Sequence, residues 1–552
     1  MVNVQICINQ QDTAVKSVQV ALMGDVYRQC SRVLIWLGCD AGKCNFHCQD
    51  EDERNTAQER HDPFALIHLF EEHISEWQYL VRRHEHEDTL VFESNIAFDG
   101  FWKRHLKVSE SPWWTRMWTV QEALLTSVAL LIYDTWSMTL QELLHHNESF
   151  GAHIEGCCAD VFLRLPEQMS TVLSTRHVEF GQLRINLKIL ADHNRPSLEM
   201  CRSFYGHRQC RDPRDKIYGV LGLIGHWSGK IVPDYSASLQ RVFYRATREL
   251  LDEPQGGLQS LRGFQYGPST NKWASWVRDF DRQWTQYDYQ GISVKFSIDH
   301  MFNAGGSASL DHEKWFSWPC LPENFPNQVA LAVAGRCIGV TKTICPVSCP
   351  SGESIAIESS VFKAWIEVAD FDFEAHAAGL RTQKNEQIWR TMVGDSTCAD
   401  GRARRLDSGD MAFLDTLISW LECREMPYDL SPRFIRTITT ATTLRTYFRT
   451  HDRGHGLCYP TCRPGDQVWV LHGATVPFVL RPIQIDTSIE ANVLRPAEAY
   501  IRDRDGCTVG VKEEFEPRTG HYQLIGDCYY DGFMDGQALD DQKYPPQSIL
   551  LV

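Results

Sequence analysis

The sequence predicts an α/β protein that holds a parallel α/β layer, a helical middle, and a small antiparallel β-barrel or roll. Three observations carry this prediction. Strand-like and helical stretches alternate over residues 1–135, the grammar of a parallel sheet. Stretches with helical periodicity then follow one another through 136–290. Across 451–552, short apolar runs recur between Gly and Asp turns about every ten residues. At 552 residues the chain exceeds what one core holds. We therefore divide it into an α/β domain at 1–135, a helical region at 136–290, a mixed α/β and helical linker at 291–450, and a β-rich module at 451–552.

In chain order, Val4–Ile8 reads as a strand and Gln10-Gln11-Asp12 as a turn. From Val15 to Cys30, the residues Val18, Leu22, Val26 and Cys30 mark an apolar helical face. Ser31–Gly38 is a β-branched run ending at Gly, a buried strand. The pattern loosens from Cys39 to Phe101, with an amphipathic helix expected over Pro63–Arg83. Cys44, His47, Cys48 and the later His84-Glu85-His86 lack the paired C-x-x-C knuckles of structural zinc, so no metal ligands are assigned.

Ser111–Asp134 organises the domain. Ser111 suits an N-cap and Pro112 a first helical position. Trp114, Met117, Val120, Gln121, Leu124 and Leu125 form a core-facing stripe, and Val128–Tyr133 reads as a strand buried on both faces. Glu122 lies off the stripe, one turn beyond Trp118, whose ring is placed to wall its carboxylate. Two readings of Glu122 follow: a solvated helix carboxylate, or one with a raised pKa that does chemistry.

Helices are expected over Thr139–His146, Leu163–Asp192 and Leu239–Leu251. Between them, Arg211, Asp212, Arg214 and Asp215 alternate in charge before an apolar run, predicting a half-buried polar cluster at a helix start. Ala274–Phe280 alternates like an edge strand or an extended segment. Further on, Val329–Ile338 and Ile355–Ile357 look like strands, Phe362–Phe373 and Ala412–Arg424 like helices, and Lys384–Arg405 like an exposed polar stretch.

A formal charge of −16 argues against nucleic-acid or anionic-membrane partners. No apolar run approaches the ~20 residues that span a bilayer, and the N-terminus does not read as a signal peptide. The expectation is a cytoplasmic protein whose 19 cysteines stay reduced.

Three blocks together resemble the fungal heterokaryon incompatibility (HET) domain. They are Ile6-Cys7-Ile8-Asn9-Gln10 with Gln19-Val20 and Val33–Gly38, then Arg116–Glu122, then Arg211–Leu223 with Pro233–Ser236. The C-terminal G-D-x-V, P-F-V-L-R and G-x-M-D-G pattern resembles the tail of long HET proteins. The resemblance implies self/nonself recognition linked to programmed cell death after cell fusion. The expected partner is another incompatibility protein or a second copy of the chain. It also implies a distant likeness to TIR domains, with a flavodoxin-like parallel sheet. Some TIR domains hydrolyse NAD⁺ with the Glu of a W-x-x-x-E helix, and Trp118–Glu122 has that spacing. By this analogy Glu122 is a candidate catalytic residue, NAD⁺ a possible substrate with no resident cofactor, and Trp118, Arg116, Gln121, Asn9 and Gln10 pocket or supporting residues. The family's opening L-S-Y-x-W-G strand is missing, Val15-Lys16 replaces its E-R, and the acidic residue before I-C-I-N-Q is absent. The expectation is an N-terminally truncated, non-catalytic incompatibility protein, with an NAD⁺ glycohydrolase using Glu122 as the alternative.

Overall fold

The computed structural model describes residues 9, 11–39, 62–74, 82–83, 90–91, 96–163, 165–192, 194–224, 231–253, 256–263, 274–282, 301–306, 316–317, 330–349, 359–399, 402–411, 418, 441–483, 500–502, 508–510 and 520–552. The Val4–Ile8 strand, Gln10, Cys44, His47, Cys48, His84–His86 and Ile355–Ile357 lie outside them, as does nearly all of Ala412–Arg424. The chain divides into two compact units, Met1–Leu239 and Gln240–Val552.

In the first unit, Asp12 caps helix α1 (Thr13–Gln29), its carboxylate accepting from the amides of Ala14 and Val15. The helix stands where the periodicity puts it, but the opposite face is buried. Val20, Met23, Gly24 and Tyr27 turn inward, while Val18, Leu22 and Val26 are 60%, 47% and 41% exposed. Strand β1 (Val33–Gly38) pairs in parallel with β2 (Ala129–Tyr133), and β2 turns back through Asp134 into antiparallel β3 (Trp136–Thr139). The described sheet is therefore mixed, where a parallel one is expected. One face of β2 is buried and the other only half-buried.

The segment read as one long helix from Ser111 behaves differently. Residues 112–115 form turns, Met117 N–H donates to Gln209 O at 2.9 Å, and helix α2 spans only Thr119–Leu124. The expected Pro63–Arg83 helix is likewise shorter: Ala65–His68 is α-helical and Leu69–Glu71 a 3₁₀ turn, whereas Arg82–Arg83 pairs as a strand with Leu90–Val91. Helix α3 (Leu140–Glu155) begins with a reciprocal Thr139–Glu142 capping box and runs past the expected His146. Helix α4 (Glu167–Ala191) follows, then α5 (Leu198–Tyr205) and the single turn α6 (Asp215–Tyr218). This is the helical middle.

In the second unit, five strands close a barrel. Strand β4 (Leu331–Ser348) pairs with β7 (Gln467–Leu471); the ring continues through β8 (Phe478–Ile483) and β9 (His521–Asp527) to β11 (Gln547–Leu551), which returns to β4. The β9–β11 pair is parallel and the other four are antiparallel. The 18-residue β4 serves two structures: Leu331–Val340 belongs to the barrel, and Thr341–Ser348 pairs with β5 (Thr446–Thr450). From there the sheet extends through β6 (His455–Cys458) to β10 (Tyr529–Tyr530). Val468, Val470, Val479, Ile525 and Ile338 belong to the barrel's apolar core. Lys384–Arg405 is not simply an exposed stretch. Helix Gln383–Met392 buries Ile388, Trp389 and Met392 on one face, together with Asn385 and Thr391, which hydrogen-bond to backbone. Ala274–Phe280 forms turns that bury Trp276.

Candidate functional site

The site of interest lies where α1, α2 and the turn around α6 meet. Glu122 is half-buried on α2, and both of its carboxylate oxygens are engaged. Tyr27 Oη donates to Oε1 at 3.2 Å, and Trp113 Nε1 donates to Oε2 at 3.0 Å. Burial, reinforced by the neighbouring Glu122 carboxylate, pushes the Tyr27 phenol well above its ordinary range, while the charge of Arg116 opposes the rise. Tyr27 therefore stays protonated and acts as a donor. The indole bonded to Glu122 belongs to Trp113 and not to Trp118, the ring expected from helical spacing. That spacing fails because the chain turns through 112–115 before helix α2 begins.

Trp118 instead serves a second carboxylate, Asp215. This residue is buried at the start of α6 and accepts from Tyr235 Oη at 2.5 Å and from the Trp118 indole. Burial pushes the Asp215 carboxyl up, and the two hydrogen bonds and the charge of Lys16 hold it back. Lys16 Nζ lies 3.8 Å above the Tyr235 ring, and Ser17 Oγ accepts from Tyr235 N–H at 3.1 Å. Helix α1 thus contacts one carboxylate network at its start and the other at its end.

Gln121 is buried and donates to the carbonyls of Gly219 at 2.8 Å and Tyr218 at 3.5 Å. Gly24 of α1 meets Gly222 so closely that a Cβ on Gly222 would lie 2.9 Å from Gly24 Cα and 2.3 Å from Gln121 Oε1. Glycine at both positions is what lets α1 reach the turn after α6. The Arg116 backbone bridges to Gln209. Asn9 is exposed and accepts from Gln11 N–H at 3.1 Å, a local turn contact. Within these residues the side chains around Glu122 come from α1 and from the 112–115 turns.

The polar cluster at the helix start has three of its four expected members. Arg214 pairs with Asp212 at 2.9 Å and donates to the carbonyls of Tyr235 and Ala237, tying α6 to the 231–238 segment. Asp212 is half-buried and Asp215 buried, but Arg211 is exposed. Next to the cluster, buried Lys216 donates to Gly206 O at 2.7 Å and Arg208 O at 2.6 Å.

Sequence reasoning missed the partners that complete these networks: Tyr27, Trp113, Tyr235, and the fully buried Arg208–Glu179 pair. Glu179 also accepts from Arg176, and Arg208 reaches Thr119 Oγ1 at 2.8 Å, at the first turn of α2. The one available signal was Glu179 itself, a carboxylate on the same helical face as Leu183 and Gln182.

Comparison with known proteins supports the motif reading. The family model "Heterokaryon incompatibility protein (HET)" matches residues 4–122. Heterokaryon incompatibility protein 6, OR allele, of Neurospora crassa is 23% identical over an alignment that covers 97% of this chain and 81% of that protein. No solved structure matches the chain. The matched span ends on Glu122 itself, so the chain carries a HET domain whose match reaches this carboxylate.

Proposed function

We propose that the chain acts in self/nonself recognition after cell fusion and is linked to programmed cell death. In this reading it signals by association with another incompatibility protein or a second copy of itself, and it does not hydrolyse NAD⁺. The Neurospora relative bears an incompatibility name and aligns along nearly the whole of this chain, which supports a common role.

One observation carries the non-catalytic part. Each oxygen of Glu122 already accepts a hydrogen bond from a side chain of the protein's own fold, Tyr27 or Trp113. A carboxylate that is to hold a ribose and stabilise an oxocarbenium-like centre has to offer an oxygen to the substrate. Here both oxygens fasten α1 and the 112–115 turns to α2, so a ribose could reach only the remaining lone pairs of a carboxylate whose orientation the fold already fixes. The W-x-x-x-E spacing that favours an NAD⁺ glycohydrolase does not describe the contact, because the bonded indole is Trp113.

The test is a heterokaryon assay. Expression in a filamentous fungus is expected to arrest growth of heterokaryons formed with an incompatible strain. The variant Glu122→Gln, which keeps hydrogen-bonding capacity but loses the charge, is expected to arrest growth equally. Loss of arrest in that variant at wild-type protein levels would favour the enzymatic reading.

A further inference from the structure

A separate cluster, remote from Glu122 in sequence, has the composition and spacing of a metal centre. His73 follows the 3₁₀ turn Leu69–Glu71, His153 lies in the last turn of α3, and Cys157 and Cys158 follow in the turn beyond it. One ligand atom from each lies within 4.8 Å of all the others. We propose that His73, His153, Cys157 and Cys158 bind a single zinc ion.

Zinc bound by two thiolates and two imidazoles is tetrahedral, with Zn–S about 2.3 Å and Zn–N about 2.0 Å, so its sulfurs lie about 3.8 Å apart and each N···S edge is about 3.6 Å. The two sulfurs here are 3.8 Å apart. The four nitrogen–sulfur edges are 3.2 Å (His153 Nδ1–Cys157), 3.4 Å (His73 Nδ1–Cys157), 3.6 Å (His73 Nδ1–Cys158) and 3.9 Å (His153 Nδ1–Cys158). All four edges bracket the tetrahedral value, and both histidines present the same nitrogen.

The surroundings fit as well. His153 Nε2 lies 3.2 Å from the Glu71 carbonyl, which accepts a hydrogen bond from Nε2–H and leaves the Nδ1 lone pair turned to the sulfurs. The Ile74 amide donates to Cys158 Sγ at 3.4 Å, a contact that stabilises a thiolate. Two histidines and two cysteines with no carboxylate select zinc over calcium or magnesium, which require oxygen donors. With four protein ligands the site is closed, so its role is structural: it clips the 69–74 segment to the end of α3. Binding releases the two thiol protons and involves no redox change.

The experiment uses the full chain, expressed with zinc and purified without a histidine tag under a thiol reductant. Elemental analysis is expected to give about one zinc per chain. Replacement by cobalt(II) is expected to give visible d–d bands of tetrahedral intensity and a thiolate charge-transfer band. Cys157→Ser and His73→Ala alter exposed residues, so both variants should remain folded by circular dichroism while losing the metal and the thiolate band. A folded wild-type chain without stoichiometric zinc or a cobalt–thiolate band overturns the proposal. So does zinc that persists in both variants, since the ion would then lie elsewhere in the chain.

Discussion

The phenol of Tyr27 donates to Glu122 Oε1 at 3.2 Å across 95 residues of chain, and this bond fastens α1 to α2, the helix on which the HET match ends. Trp113 completes the arrangement from the other oxygen. An indole can only donate, whereas a phenol can also accept. A glutamine at position 122 can therefore satisfy both partners, taking the Trp113 proton on oxygen and giving an amide proton to Tyr27. Glu122→Gln is expected to change unfolding free energy by less than about 1 kcal/mol, and Glu122→Ala, which strands both donors, to cost about 1–3 kcal/mol. Urea denaturation of the two variants checks the order; equal losses would contradict a structural role for the acceptor.

Arg208 and Glu179 form a pair with 0% and 1% side-chain exposure. Removing Glu179 leaves the buried Arg208 charge uncompensated, so Glu179→Leu alone is expected to cost about 3–5 kcal/mol, and Arg208→Met less, because Arg176 still pairs with Glu179. The double substitution should recover part of the Glu179→Leu loss, because the fully buried Arg208 charge is then gone and only Arg176 has lost its partner. A double-mutant cycle measures the coupling, and additive losses would show that the two side chains are not paired.

Gly222 and Gly24 set how near α1 comes to the turn after α6. A Cβ at 222 meets Gln121 Oε1 at 2.3 Å and Gly24 Cα at 2.9 Å, and the latter is backbone that cannot swing away. Gly222→Ala is expected to destabilise by about 1–3 kcal/mol, the usual cost of overpacking. Thermal unfolding of the variant gives the value, and an unchanged midpoint would refute the close approach.

His105 is buried against Trp102 and Phe70, and its Nε2 lies 3.2 Å from Ser109 Oγ. Burial, with the charge of Arg176 adding to it, lowers its pKa from 6.5 to about 3. Between these two values the unfolded imidazole binds a proton that the folded one does not. Its contribution to stability is complete above the unfolded value and is lost as pH falls toward the folded value, by up to about 1.4 kcal/mol per pH unit. Denaturation of wild type and His105→Phe at about pH 7 and pH 5 is expected to show a smaller acid loss in the variant. Identical pH slopes would exclude His105 as a contributor.

Local pattern made part of this legible in the sequence. Alternation and turn chemistry located α1, β1, β2, the helical middle and the late strands, because each element follows from residues within one or two turns. The face of α1 was not legible. Val18, Leu22 and Val26 share one apolar stripe, but Gly24 and Tyr27 lie on the other, and only partners about a hundred or more positions away, Glu122 and Gly222, decide between them. The helix expected from Ser111 is shortened for a related reason: Met117 N–H is taken by Gln209. Long β4 joins two sheets through partners from 446 to 551 that no local periodicity reveals. The histidine–cysteine cluster escaped because its ligands are split between His73 and the 153–158 turn, with adjacent cysteines in place of a C-x-x-C knuckle.

Glu122 is proposed to hold the HET domain together and not to cleave NAD⁺. The most direct measurement is nicotinamide release by the purified full chain, compared with Glu122→Gln at equal folded concentration. Release at the no-protein background is expected for both proteins. Robust turnover by the wild-type chain that vanishes in Glu122→Gln would contradict it and make Glu122 the catalytic residue.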